Sequence, residues 1–130
     1  MRLTESQYQN FLGKSLDHKI NKYRNKKVIV DGIEFDSKKE AVRYQELKLL
    51  EKAKKITDLK LQVPFVLLDN YVLNGKKHQG IKYIADFVYI DIETGKYVVE
   101  DVKSSATKTQ VYRLKKKLFE SRYGIEIKEI

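Results

Sequence analysis

The chain has no cysteine, no tryptophan and a single proline, Pro64. Without cysteine there is neither a disulfide framework nor a thiolate metal site, a composition compatible with the cytoplasm. The two histidines, His18 and His78, lie far apart in sequence and lack ligand spacing, so no zinc site is expected. No apolar run approaches membrane-spanning length and no secretory signal opens the sequence; a membrane partner is not expected. Internal repeats and low-complexity tracts are also missing. Within 130 residues, 42% are apolar and 35% charged, which suits one globular domain just large enough for its own core.

What the chain does have is positive charge. The formal net charge is +9, a balance that favours a polyanionic partner through long-range attraction to phosphates. The charge is clustered. One group precedes the first expected strand and includes Lys26 and Lys27. Another lies on the last expected helix: Lys108, Arg113, Lys115, Lys116 and Lys117. These basic groups are the candidate DNA-binding residues, and at most two lysines of the 115–117 run can face one strand, because consecutive helical residues diverge. A plain solvated surface is the competing explanation.

Two short apolar runs carry charge where a strand normally has none. YIADFVYI, residues 83–90, has Asp86 in its middle; KYVVEDVKS, residues 96–104, has Asp101 and Lys103 two apart. Period-two alternation puts Asp101 and Lys103 on one face. A two-residue loop at Thr94-Gly95 would set Asp86 opposite Lys103, and a four-residue loop over 92–95 would set it opposite Asp101. Either places all three on one face of a hairpin, whereas a three- or five-residue loop would bring Glu100 to the Asp86 face as a substitute for Asp101. Two carboxylates and an ammonium group are what metal-assisted phosphodiester hydrolysis requires. A salt bridge on a solvated face would use the same residues. Oxygen ligands without His or Cys favour Mg²⁺ or Mn²⁺.

Residues 37–54 read as a helix with an apolar stripe of Ala41, Tyr44, Leu47 and Leu50. Glu40 falls near the middle of that stripe, where a carboxylate needs a partner. Ser37-Lys38-Lys39-Glu40 also matches a capping box, so Glu40 is read as a cap, a site residue or both.

The remaining elements follow from turn signals and periodicity. Residues 4–16 suit a short amphipathic helix, and His18 to Lys27 a basic arm. Val28–Val30 and Ile33–Phe35 flank an Asp31-Gly32 turn. LKLQVPFVLL contains Pro64 and reads as an edge or bulged strand; Asn74-Gly75 marks another turn. A helix from about Thr107 to Tyr123 shows an apolar stripe of Val111, Leu114 and Leu118, with Tyr112 and Phe119 at its margins and Gly124 as its stop. A final strand in GIEIKEI would lie parallel to the Asp101 strand through a βαβ crossover. The expected fold class is therefore α/β (α+β): a mixed central sheet flanked by helices.

Glu on the first helix, Asp on a strand and Asp-x-Lys on the next strand resemble the PD-(D/E)xK nuclease superfamily, which includes type II restriction enzymes, archaeal-type Holliday junction resolvases and TnsA-like transposition endonucleases. GIEFDSKKEAVRYQELKLLEKAKKITDLKLQVPF, YIADFVY and VVEDVKS, followed by a Lys-rich helix, resemble small phage- and prophage-encoded proteins of this kind. The resemblance covers about residues 22–130, leaving 1–21 as an N-terminal helix and arm, and Ala85 stands where the superfamily name has proline. It implies a restriction-endonuclease-like fold with Glu40, Asp86, Asp101 and Lys103 as the catalytic set. Asp86, Asp101 and Glu40 would hold Mg²⁺ or Mn²⁺, and cleavage would leave a 5′-phosphate and a 3′-hydroxyl. The implied activity is a metal-dependent DNA endonuclease acting in the cytoplasm of a phage host, alone, as a homodimer or with a recombination or replication partner protein. With little room for a specificity domain, structure-selective cutting of branched DNA, or nicking guided by a partner, is favoured. A non-catalytic DNA-binding module and a phage structural or assembly protein are the alternatives.

Overall fold

The computed structural model describes residues 27–130. They belong to two compact units, one ending at Lys48 and one running from Leu49 to Ile130. The expected N-terminal helix, the basic arm and Lys26 lie outside the described residues.

In the first unit, β1 (Val28–Val30) pairs antiparallel with β2 (Ile33–Phe35). Asp31 and Gly32, between them, both take positive φ, 53° and 75°, as a two-residue turn matched to strand twist requires. Helix α1 (Lys38–Lys52) follows and crosses the boundary between the units. Ser37 starts it, its Oγ accepting the Glu40 N–H at 3.1 Å, the N-cap half of the expected box. Glu40, Ala41, Tyr44 and Leu47 are buried, while Leu50 stands at the surface. Tyr44 ties helix to hairpin: its hydroxyl donates to Asp31 Oδ2 at 3.0 Å and its ring packs on Phe35.

The second unit is built on a four-stranded mixed sheet in the order β3 (Ile56–Leu68), β6 (Ile81–Asp91), β7 (Tyr97–Asp101), β8 (Ile127–Glu129). Pro64 sits in β3, an edge strand, where the missing N–H costs no ladder bond on the open side. Between β3 and β6 a small separate hairpin forms from β4 (Tyr71–Leu73) and β5 (Lys76–His78) around Asn74-Gly75. The chain between β6 and β7 makes a four-residue loop, with the Asp91 N–H bonded to the Lys96 carbonyl at 3.0 Å and the Gly95 N–H to the Asp91 carbonyl at 2.7 Å. That loop selects one of the registers the sequence left open: Phe87 faces Glu100 and Val88 faces Val99.

A 3₁₀ turn over Ser105–Thr107 leads to α2 (Gln110–Tyr123), which returns the chain to β8, parallel to β7. Helix α2 begins three residues later than expected because Thr109 is its cap, Oγ1 accepting the Tyr112 N–H at 3.1 Å. Gly124 ends it at φ 67°, donating to the Glu120 carbonyl.

The face of α2 that packs on the sheet differs from expectation. Val111, Leu114 and Leu118 are exposed, and Tyr112 and Phe119 are buried. The aromatic positions 112, 119 and 123 form their own helical stripe, and aromatic rings bury more area than the aliphatic stripe offers. Phe119 packs edge-on against Phe65 at 4.9 Å and beside Tyr83 at 5.3 Å. Leu67, Ala85, Val88, Val99 and Ile127 complete that core. The result is a mixed α+β architecture with a central four-stranded mixed sheet, consistent with a restriction-endonuclease-like fold. No helix among the described residues is long and apolar enough to cross a membrane.

Candidate active site

Carried one step past its last ladder pair, Phe87–Glu100, the β6–β7 register brings Asp86 toward Asp101, and the two carboxyls lie side by side. The alternation of β6 lapses at this point. Ala85 and Val88, three residues apart, belong to one buried cluster. Opposite Asp86, Gln62 takes φ 52°, and the ladder omits the Gln62–Asp86 pair while keeping those on either side. Irregularities of this kind re-aim a side chain. The Asp86 carboxylate is held at both oxygens: Val102 N–H donates to Oδ2 at 2.8 Å and Gln62 Nε2 to Oδ1 at 3.2 Å.

Asp101 is buried. Burial, then the Asp86 carboxylate beside it, pushes its carboxyl from 3.8 up to about 7, with Lys103 pulling the other way. Lys103 lies just beyond β7, its Nζ 3.4 Å from Asp101 Oδ2 and 4.2 Å from the centre of the Tyr112 ring. Its backbone is fixed as well, since the Lys103 N–H donates to the Ile130 carbonyl at 3.2 Å. The ammonium is thus gripped by a carboxylate and an aromatic face. Near them the Tyr83 hydroxyl is buried and turned toward Asp101; burial and then Asp101 push its ionisation up.

Asp86, Asp101 and Lys103 are therefore brought together as the sequence indicated. Glu40 is placed in the first unit, buried in the first turn of α1. Glu100 points to the opposite face of β7, completely buried, and accepts a short hydrogen bond from the Tyr89 hydroxyl. In this register it does not share the face of Asp86 and Asp101.

Sequence reasoning missed four neighbours of the site: Gln62, Tyr83, Tyr112 and Glu129. Glu129 is the most legible in retrospect, because a βαβ crossover ending in an alternating strand sets it beside Asp101. Tyr112 donates to Glu129 Oε2 at 2.7 Å, and Lys108 and Lys116 approach the same carboxylate at 3.3 and 3.6 Å. The Tyr112 bond and then the lysines hold the Glu129 carboxyl below its usual range. Two of the expected phosphate-binding lysines thus share an acidic partner, whereas Arg113 and Lys117 are exposed and Lys115 is half-buried. Lys27 is exposed and lies 3.6 Å from Glu34, a pair worth little in water.

Among the described residues no three His, Cys, Asp or Glu side chains form a ready-made metal cluster. The local chemistry nevertheless fits a hard cation. Buried Asp101, its carboxyl pushed up to about 7, faces the half-buried Asp86 carboxylate, and the Tyr83 hydroxyl stands beside them. Mg²⁺ commonly keeps several waters and takes only one or two carboxylates from the protein.

Fold and site define a mixed α+β domain with a carboxylate–carboxylate–lysine centre at one end of its sheet. The chain belongs to the family described as protein of unknown function (DUF1064), whose model matches residues 20–129. No curated protein and no solved structure matches the chain.

Proposed function

We propose that this protein is a metal-dependent DNA endonuclease that hydrolyses phosphodiester bonds, with branched DNA as its favoured substrate. One observation carries the reading: Asp86, Asp101 and Lys103 meet beside a strand irregularity, in the register that the four-residue loop at the far end of the hairpin sets. An ammonium group pinned against one of two facing carboxylates has little structural purpose, because burying such a set costs more than an apolar substitute would. The basic balance of the chain suits a phosphate-bearing substrate.

Asp86 and Asp101 would hold Mg²⁺ or Mn²⁺, with the Val102 carbonyl as a further oxygen. A bound cation would polarise the scissile phosphate and lower the pKa of an attacking water. Gln62 and the Val102 N–H orient Asp86 for that task. Lys103 would orient the water and offset charge developing on the phosphate oxygens. Tyr83 supplies a hydroxyl that can donate to a water or phosphate oxygen beside Asp101. Glu40 keeps, on the resemblance alone, its place as a further carboxylate of the catalytic set. Arg113, Lys115 and Lys117 would contact backbone phosphates without reading bases.

The test is incubation of the purified chain with linear, nicked, flapped and four-way DNA in Mg²⁺, in Mn²⁺ and in EDTA. The expected result is cation-dependent cutting, strongest on branched substrates and lost in Asp101→Ala. Cutting at full rate in EDTA, or no cutting of any substrate with either cation, overturns the proposal.

A further inference from the structure

The β4–β5 hairpin is bonded to no other strand among the described residues, yet it is firmly rooted. At its neck the Asn70 side chain accepts the Gly80 N–H at 2.6 Å. Gly80 is pressed so closely on the Leu68 backbone that a Cβ there would fall 1.9 Å from the Leu68 carbonyl oxygen, so only glycine fits. From below, Arg122 donates to the Leu67 carbonyl at 3.1 Å and the Tyr123 hydroxyl to the Val66 carbonyl at 2.8 Å. The end of α2 thereby fixes the strand from which the hairpin springs.

The two faces of this hairpin are unlike a merely soluble loop. The pairs Tyr71–His78 and Leu73–Lys76 occupy one face and Val72–Lys77 the other. Tyr71, Val72 and Leu73 are all exposed, at 44%, 66% and 58%. A hairpin kept only for solubility has no reason to present three such side chains to water. Tyr71 and His78 stack across the strands with ring centres 4.7 Å apart and planes within 11°, a flat aromatic platform whose outer member is Tyr71. Residues 69–82 carry three lysines against one carboxylate, Asp69. A platform of stacked rings flanked by ammonium groups is the chemistry that takes unpaired nucleobases, by stacking, together with their phosphates. An acidic or apolar protein partner would use the lysines or the leucine but gains nothing from the stacked pair.

We propose that the β4–β5 hairpin is a single-strand-binding wing: Tyr71, supported by His78, stacks on unpaired bases of a DNA branch while Lys76, on the same face, meets its phosphates. This rests on the reading of the protein as acting on DNA and assigns it a means of favouring branched substrates. The spacing agrees with that role. The hairpin joins β6 at Ile81, five residues before Asp86, or roughly 17 Å along an extended strand. That length spans about five nucleotides of a duplex strand, so a branch point near the scissile phosphate could leave its free arm at the wing.

The experiment is equilibrium binding of the full chain, in EDTA, to a blunt duplex and to the same duplex bearing a single-stranded arm with 2-aminopurine in it. The wild type should bind the armed DNA more tightly and quench the 2-aminopurine on binding. Tyr71→Ala should lose the quenching and about tenfold in affinity for the armed DNA, with blunt-duplex affinity unchanged. Tyr71→Phe should restore both, which separates a stacking role from a folding defect. Lys76→Gln should weaken armed-DNA binding and reduce its salt dependence. If Tyr71→Ala binds both DNAs like the wild type, or loses equally on both, the wing is overturned. Because EDTA removes any need for cutting, a protein that passes this test but never cleaves contradicts only the nuclease reading. One that cleaves but shows no arm-specific loss contradicts only the wing.

Discussion

Glu100 and Asp101 are neighbours on β7 and both are buried, but they face opposite sides of the sheet and live in different chemistry. On one side, Glu100 accepts from the Tyr89 hydroxyl and sits across from Phe87. On the other, Asp101 confronts a second carboxylate, an ammonium group and the Tyr83 hydroxyl. A satisfied buried carboxylate serves the fold. A buried carboxylate set against another carboxylate destabilises the fold unless something else is to bind there. The difference between adjacent residues separates structure from function more sharply than burial does.

The comparison can be broken at Asp101 first. Asp101→Ala should lower the rate of DNA cleavage by roughly a thousandfold or more, while Glu100→Gln should leave it within a few-fold. Single-turnover assays of the two variants measure this. Lys103→Met should follow at about a hundredfold, the scale of losing one preorganised charge-stabilising group, with DNA binding retained because Lys103 is one cation among many. Equal losses for Glu100→Gln and Asp101→Ala would erase the distinction.

Stability should run in the opposite order. Glu100→Ala removes the buried bond to the Tyr89 hydroxyl and should cost about 1–3 kcal/mol in urea unfolding. Asp101→Asn should do the reverse in the absence of metal. The folded protein holds the Asp101 carboxyl at about 7 against an ordinary 3.8, so the folded state favours the protonated form. Its contribution to stability is intact at acid pH and declines as pH rises between those two values, levelling off above about 7. Asn mimics the protonated acid and removes that decline. Melting curves in EDTA should show Asp101→Asn level with wild type at acid pH and more stable than it at pH above 7.

Much of this arrangement was legible in the sequence, and the reasons differ by element. The Asp31-Gly32 turn and the Gly124 stop were readable because positive φ restricts residue choice. The edge position of β3 followed from the proline's missing N–H. Asp86, Asp101 and Lys103 stood out because charge interrupted apolar strands, although only the loop over residues 92–95 decided their register. The buried face of α2 was misjudged because Val111, Leu114 and Leu118 keep a clean helical spacing, and the larger pull of Tyr112 and Phe119 is a matter of area, not period. Tyr83 was hidden among many tyrosines. The β4–β5 hairpin was half seen: Asn74-Gly75 marked the turn, but Lys76-Lys77-His78 has no alternation to reveal a strand. Glu129 could be placed beside Asp101, yet its capture of Lys108 and Lys116 depends on helix-to-strand packing that no local pattern encodes.

The central claim is that the Asp86–Asp101 pair is a divalent-cation site. Titration of Mn²⁺ into the purified chain above pH 7, followed by calorimetry or by the loss of the free-ion electron paramagnetic signal, addresses it without requiring catalysis. Saturable binding in the wild type and in Glu100→Gln, strongly weakened in Asp101→Asn, is the predicted result. Binding of Mn²⁺ to Asp101→Asn with the wild-type affinity would contradict the account.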